Sequence, residues 1–418
     1  MDQGSESGST RDLRRVLEIT RGMVAAADLD ALLGVIIDRS VELLDAERAT
    51  VFLYDAAANE LVSRVAHETG EIRLSADTGI AGAAARSRQV VLVADAYADE
   101  RFNADFDRAG GFRTRNLLAV PLLGYSGELV GVLEVLNRRR GAFTGDDVFL
   151  AETLAAQAGV AVQRANLIAH YLVKQRMQRS LEIARQIQRD LLPKAPPRLA
   201  GFDVAGFTQP ADETGGDFFD FFALGGDRLA VVVADVTGHG IGPALLMAET
   251  RAILRALAGR SAGPAEVLAA ANRHLADDLR EGRFVTCFFG VLDGRAGTLA
   301  YASAGHGPLL IRQGPGGRCR QEKATGLPLG LFADSPPCAS AVCRLARGDL
   351  VAVPTDGLYE AADGDGRLMG IERVIELLNV TGDAPAERVA ADLLAAAEAH
   401  AAGTAQSDDI SAVVIRRT

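Results

Sequence analysis

The sequence predicts an α+β protein of two domains joined by a helix, and three observations carry that expectation. Its 418 residues exceed one ordinary core, at roughly 100 to 200 residues per domain. In each half, short β-rich runs bounded by turn residues sit among amphipathic helical stretches, the pattern of antiparallel sheets flanked by helices. Between the halves, Val162 to Leu192 contains neither Gly nor Pro, so nothing local interrupts a helix there.

The elements follow in order. Leu13, Val16, Leu17, Thr20 and Val24 recur at helical spacing, and Leu29, Leu32, Leu33, Ile36, Val41 and Leu44 repeat the pattern after Asp28, a residue suited to cap a helix start. Strands are expected at Thr50–Tyr54, Glu60–Ala66 and Val90–Ala94, then a hairpin of Leu117–Leu123 and Glu128–Asn137 around Gly124-Tyr-Ser-Gly127. A helix starts near Asp146. Pro193, Pro196 and Pro197 end the connecting helix. Beyond it, strands are expected at Phe202–Phe207, Phe218–Ala223, Leu229–Val236, Phe284–Asp293, Thr298–Ser303, Leu350–Pro354 and Ile410–Ile415. Helices are expected at Pro243–Leu257, Pro264–Arg280, Ile371–Leu378 and Ala384–Ala401. Long helices among antiparallel strands point to two sheets sandwiched by helices.

Bulk properties narrow the function. A formal charge of 44 − 55 = −11 repels a polyanion, so nucleic acid is not an expected partner. Cys287, Cys319, Cys338 and Cys343 form no CxxC pair and have no histidines at zinc-ligand spacing, which reads as reduced thiols. The polar start lacks a signal-peptide pattern and no apolar run reaches the ~18 residues of a membrane helix. A cytoplasmic protein that makes no use of the membrane is therefore expected.

The chemistry lies in four acidic clusters at the ends of expected strands: Gly215-Gly-Asp217-Phe-Phe-Asp220, Asp235-Val-Thr-Gly-His-Gly240, Pro354-Thr-Asp356-Gly357 and Ser407-Asp408-Asp409-Ile410. Each alone reads as a turn. Together, carboxylates gathered from distant strand ends repel one another, and the usual remedy is a hard divalent cation with oxygen ligands, Mg²⁺ or Mn²⁺. Two such ions, ~3.5 to 4 Å apart, would lower the pKa of a bridging water and clamp a phosphoryl group.

With GGDFFD, DVTGHG, SAGHGPLL (Ser303–Leu310), TDGLYE and SDDISAVV in place, residues 195–418 resemble the bacterial PP2C-type serine phosphatases of the SpoIIE and RsbU type. The resemblance implies a PP2C-like αββα sandwich with two metal ions. By motif position, Asp235 would bridge both ions, the Val236 carbonyl would bind one, and Asp356 and Asp408 would complete the other. Asp217 would act through bound water, and pattern alone does not separate Asp409 from Asp408. His239 is weighed between a general acid and a turn residue, with the turn favoured; His306 is open between loop structure and the site rim. The implied substrate is a phosphorylated STAS-domain anti-sigma factor antagonist. Leu181 to Pro193 resembles the helix that, in this family, acts as a switch on metal-site geometry.

A second resemblance covers residues 28–163. Gly79-Ile-Ala-Gly82, Ala119-Val-Pro-Leu122 and the strand leading to Phe143-Thr-Gly-Asp-Asp147 are similar to a GAF domain, an antiparallel sheet with flanking helices that implies a small-molecule ligand, although no ligand at all is also compatible. Asn137, Arg138, Phe143, Asp146 and Asp147 approximate the NKFDE pattern of cyclic-nucleotide-binding members, with internal salt bridging the expected role here. The expected organisation is a tail and helix (1–27), a GAF sensor domain (28–163), a linker or switch helix (164–194) and a phosphatase domain (195–418), assembled as a homodimer through the linker. Two alternatives share these residues: a non-catalytic sensor or scaffold, and a two-metal hydrolase of small phosphoesters.

Overall fold

The computed structural model describes residues 18, 21–23, 25–63, 71–279 and 282–418. The chain divides into two compact units, Met1–Arg176 and Met177–Thr418. The helix expected over Leu13 to Val24 falls mostly outside the described residues.

In the first unit, helix α1 (Leu29–Leu43) begins where its cap lies: Asp28 Oδ1 accepts a hydrogen bond from the Ala31 N–H at 2.8 Å. Six strands follow: β1 (Ala46–Asp55), β2 (Glu60–Ser63), β3 (Ile72–Ser75), β4 (Val91–Val93), β5 (Leu117–Leu123) and β6 (Leu129–Arg138). They form one antiparallel sheet in the order β3-β2-β1-β6-β5-β4. Leu33 and Ile36 of α1 cover one face together with Leu154 and Ala158 from a later helix. The other face is covered by α2 (Gly79–Ser87) through Ile80, Ala81, Ala84 and Ala85. The sequence reading does not contain α2, because Gly79 and Gly82 depress helix propensity. Packing requires the second glycine, since a Cβ on Gly82 would stand 2.8 Å from the Ala76 carbonyl oxygen. A short helix, α3 (Asp105–Gly110), completes this region.

The NKFDE-like residues build the unit itself, as internal salt bridging requires. Arg138 Nε stands 3.0 Å from Asp147 Oδ2, and that oxygen also accepts hydrogen bonds from the Thr144 N–H and hydroxyl, each at 2.7 Å. Buried Asn137 donates from Nδ2 to Glu47 and to the Arg113 carbonyl. Asp147 thereby sets the start of helix α4 (Gly145–Leu191). This single helix of 47 residues merges the helix expected from Asp146 with the linker helix expected after it. Its one internal glycine, Gly159, lies where a Cβ would stand 2.2 Å from the Leu123 carbonyl oxygen, so it serves close packing rather than a break.

Among the described residues, the second unit contains the end of α4, ten strands and five further helices. The strands are β7 (Phe202–Gln209), β8 (Phe218–Gly225), β9 (Arg228–Val236), β10 (Val285–Asp293), β11 (Thr298–Ala304), β12 (Leu309–Arg312), β13 (Cys319–Glu322), β14 (Ala341–Arg344), β15 (Leu350–Pro354) and β16 (Ile410–Arg417). The helices are α5 (Ile241–Ala258), α6 (Pro264–Asp278), α7 (Asp356–Tyr359), α8 (Ile371–Val380) and α9 (Ala386–His400). Two antiparallel five-stranded sheets result, β14-β11-β10-β9-β8 and β13-β12-β15-β16-β7. Strands β12, β13 and β14 are additions to the sequence reading; at four residues each they are too short to display a period.

Alternation along the strands explains the layering. In β9, Leu229, Val231 and Val233 meet Val351, Val353, Val413 and Ile415 of the other sheet. Their neighbours Ala230, Val232 and Ala234 pack under Met247, Leu254, Leu268 and Leu275 of α5 and α6. In the second sheet, Leu350, Ala352, Ala412 and Val414 pack under Val374, Leu378, Val389 and Leu393 of α8 and α9. Three apolar layers thus stack as helix, sheet, sheet, helix, and strands buried on both faces read as unbroken apolar runs. Among the described residues, no helix is long and apolar enough to cross a membrane.

Candidate functional site

The parity that buries Val231 and Val233 between the sheets carries on to Asp235, at the end of β9. The same parity takes Phe219 and Phe221 of β8 back to Asp217, Val351 and Val353 of β15 on to Thr355, and Val413 of β16 back to Ser411 and Asp409. Four strand ends therefore deliver polar side chains into one end of the gap between the sheets. Asp356 opens α7 beside them, and Asp408 precedes Asp409.

Hydrogen bonds join the two sheets at this point. Asp217 is buried, and its Oδ2 accepts from the Thr355 hydroxyl at 2.7 Å. Asp409 is buried as well and takes three backbone donors: Ala211 N–H on Oδ1 at 2.8 Å, and Gly216 and Asp217 N–H on Oδ2 at 2.7 and 3.2 Å. Asp408 accepts, among the described residues, only the N–H of its neighbour Asp409, at 2.8 Å, and is exposed at the opening. The sequence reading left these two residues equivalent. The structure separates them by partner: Asp409 is a strut saturated by backbone, and Asp408 keeps a free carboxylate edge.

The electrostatics are those of uncompensated negative charge. Burial, then the charges of Asp356, Asp408 and Asp409, push the Asp235 carboxyl up to about 7. Burial and the neighbouring Asp235 and Asp409 hold Asp217 well above the usual carboxylate range. Asp408 is raised too, chiefly by burial. Among the described residues no Lys or Arg pairs with any of the five aspartates, and no three His, Cys, Asp or Glu side chains already close into a metal cage. The donors present are nonetheless all oxygens, in charge excess, beside a main-chain carbonyl. A Cβ on Gly216 would stand 2.3 Å from the Val236 oxygen, so glycine there keeps that carbonyl uncovered. This donor set fits a hard divalent cation.

Other motif residues sort cleanly. Asp220, in the same GGDFFD run as Asp217, has the opposite parity and points to the helix side, where Arg255 grips it at 2.5 and 2.7 Å and Arg251 Nε stands 3.0 Å away. It is structural. His306 is buried between the sheets with its Nδ1 2.9 Å from the Thr286 hydroxyl, and Thr286 pairs with Asp235 across β10 and β9. Burial lowers its imidazole to about 4, which leaves it neutral at pH 7. His239 is exposed at the rim, its Nδ1 2.5 Å from Asp212 Oδ2. Thr355 and Ser411 were missed as site residues although both stand inside quoted motifs. Gln188, on α4, was missed with them; its Nε2 donates to the Gly215 carbonyl at 2.6 Å and its Oε1 accepts from the Gly215 N–H at 3.2 Å.

Acidic strand ends gathered between the sheets of an αββα sandwich define a domain of the PP2C phosphatase class. The chain carries that domain in its SpoIIE form, behind a GAF domain: residues 225–418 match the family model for Stage II sporulation protein E, and residues 28–162 match that for GAF domains. Among solved structures, the SiaA-PP2C domain of Pseudomonas aeruginosa is similar at 25% identity and a TM-score of 0.53, over 58% of this chain and 98% of that one. Protein IcfG of Synechocystis sp. is 29% identical over 267 residues, 57% of this chain and 41% of that protein. A probable 3′,5′-cyclic phosphodiesterase, pde-5, of Caenorhabditis elegans is 31% identical over 153 residues, 33% of this chain and 21% of that protein. The chain thus spans less than half the length of these curated relatives.

Proposed function

We propose that this chain is a metal-dependent protein serine/threonine phosphatase whose turnover is governed by its GAF domain. The observation that carries the reading is the gathering of Asp217, Asp235, Asp356 and Asp408 at one end of the inter-sheet gap, with no Lys or Arg among the described residues paired to them. Asp235, the Val236 carbonyl, Asp356 and Asp408 would hold the cations, and Asp217, oriented by Thr355, would contribute through water. Two Mn²⁺ or Mg²⁺ ions bound there supply a water of lowered pKa and positive charge for a phosphoryl group. Asp409 acts from behind, holding the Gly216-Asp217 backbone against the site. His239, oriented by Asp212 at the rim, would supply the proton a leaving seryl oxygen needs.

The substrate class, a phosphoserine or phosphothreonine on a STAS-domain protein, follows from the family likeness. On the sensor side, a cavity of about 660 Å³ opens between the first unit's sheet and α2, lined by Phe52, Ile80, Phe102, Leu117 and Leu136. Glu134 faces it without a hydrogen-bond partner among the described residues, its carboxyl pushed up to about 7 by burial. That cavity is the proposed small-molecule site. We assign residues 28–163 to the sensor, 164–194 to the transmitting helix and 195–418 to the phosphatase, working in the cytoplasm as a homodimer.

The deciding measurement is phosphate release from phosphorylated STAS-domain proteins with and without Mn²⁺, comparing wild type with Asp356→Ala. Manganese-dependent release that the substitution abolishes is expected. Turnover of nucleotides or small phosphoesters with no protein substrate would replace this reading with a small-molecule hydrolase, and no turnover of either would leave a scaffold.

A further inference from the structure

The cavity of the first unit has aromatic and aliphatic side chains in its wall, yet its charge is acidic. Its described titratable lining is Asp77, Glu100, Asp107 and Glu134 against Arg86 and Arg101, an excess of two negative charges when all are ionised. Both arginines are engaged elsewhere. Arg101 is held by Asp99 at 2.9 and 2.6 Å, and Arg86 Nη1 donates to the Ala76 carbonyl at 3.1 Å. Of the acids, Asp77 accepts from Asn59, Asp107 accepts from the Tyr97 hydroxyl and from Thr114, and Glu100 is exposed. Glu134 has neither a hydrogen bond nor an ion pair among the described residues.

Its place in the sheet makes that costly. Strand β6 is one of the two central strands, and its Val132 and Leu136 pack toward α2. Glu134 shares their parity, so the pleat sets it on the same face, between Thr50 of β1 and Ala119 of β5. A carboxylate withdrawn from water without a partner lowers stability, and a position that needed only packing would be served by an apolar residue as at Val132 and Leu136. Burial moves the Glu134 carboxyl up to about 7, and no cation of the described chain offsets it. Three phenyl rings, Phe52, Phe102 and Phe106, line the same cavity. Aromatic faces attract a cation placed over them, and Glu134 supplies the full negative charge that rings lack.

We propose that this cavity takes a compact organic cation, an alkyl- or arylalkyl-ammonium, whose nitrogen pairs with Glu134 and whose carbon skeleton lies against Phe52, Phe102 and Phe106. The inference rests on the reading of the cavity as the sensor's small-molecule site and adds to it the chemical class of the ligand. The volume, about 660 Å³, is that of a small-molecule pocket. A phosphate ester would bring further negative charge into an acidic cavity whose two arginines are already taken, so a cyclic nucleotide is the wrong charge for it.

The test is calorimetric titration of the full chain at pH 8 with phenethylamine, phenethyl alcohol, hydrocinnamate and cyclic GMP. The amine should bind at least about tenfold more tightly than the alcohol, and the two anions should not bind. Glu134→Gln keeps the size of the side chain and removes its charge; it should lose about tenfold of the amine affinity and leave that of the alcohol unchanged. Should Glu134→Gln fold poorly, Glu134→Met must show the same selective loss. Equal affinity for amine and alcohol, amine affinity unchanged in a folded Glu134 variant, or preference for either anion would overturn the cation assignment while keeping the cavity as a ligand site. No binding of any of the four would overturn both. Phosphate release is not the readout, so the phosphatase reading stands or falls separately.

Discussion

Asp220 and Asp356 are aspartates in separate motifs of one unit, and their surroundings predict opposite effects of removal. Asp220 is 1% exposed and clasped by Arg251 and Arg255. Taking it away leaves partly buried Arg251 and exposed Arg255 without their carboxylate, so Asp220→Ala should cost about 1 to 3 kcal/mol of stability, read by urea unfolding. Asp356 stands among like charges and raises the proton affinity of Asp235 and Asp408. Asp356→Ala should abolish Mn²⁺-dependent turnover while the metal-free protein melts no lower than wild type. A metal-free melting temperature several degrees below wild type would contradict the account of Asp356 as an unneutralised charge. Motif position already marked Asp356 as an expected ligand, whereas nothing local in the sequence assigned Asp220 to the helix side, since it too is an acid inside a motif.

At the scale of elements, capping decides where helices start and stop. Asp28 was legible as the start of α1, because a cap works over three residues and needs nothing distant. Asp28→Ala should cost about 1 kcal/mol, measured as a shifted chemical-unfolding midpoint. The end of α8 is held by a residue no local rule could find. Arg312 of β12 is fully buried, donating to the Leu378 carbonyl at 3.0 Å, the Thr381 hydroxyl at 2.9 Å and the Gly382 carbonyl at 2.7 Å. A buried cation without a carboxylate partner among the described residues is tolerated there by the negative end of the helix. Arg312→Met fills similar volume but leaves those acceptors without their donor, so a loss of about 2 to 4 kcal/mol is expected from thermal or urea unfolding. The long strands were readable because burial on both faces makes an apolar run. The short strands β12 to β14 and the glycine-bearing α2 were not, because their identity comes from the neighbours they pair with and pack on.

For the molecule as a whole, the site stores a pH dependence with a definite sign. Asp217, Asp235 and Asp408 bind protons more tightly folded than unfolded, so the folded state holds more protons and stability falls as pH rises through their folded values, about 7 for Asp235. Buried His306, lowered to about 4, acts oppositely, adding stability as pH rises from about 4 to its ordinary value near 6.5. The two trends oppose each other in mild acid, and the carboxylates prevail above about pH 6.5. The metal-free protein should therefore melt lower at pH 8 than at pH 6.5, and Mn²⁺ should restore more stability at pH 8, because ligands must be ionised to bind it. Calorimetry in chelator and in excess Mn²⁺ checks this; a metal-free melting temperature that rises over that interval would contradict it. By itself the sequence determined the two-domain α+β plan, the strands with acids at their ends, the cap at Asp28 and the unbroken helix to Leu191, since each is written in neighbours a few residues apart. Only the tertiary structure decided that Asp217 faces the inter-sheet gap while Asp220 faces the helices, that Asp409 is a strut beside the free edge of Asp408, and that Gln188 reaches Gly215. Those distinctions depend on which face of a pleat meets which sheet and which backbone groups arrive from far along the chain, and no local pattern contains that information.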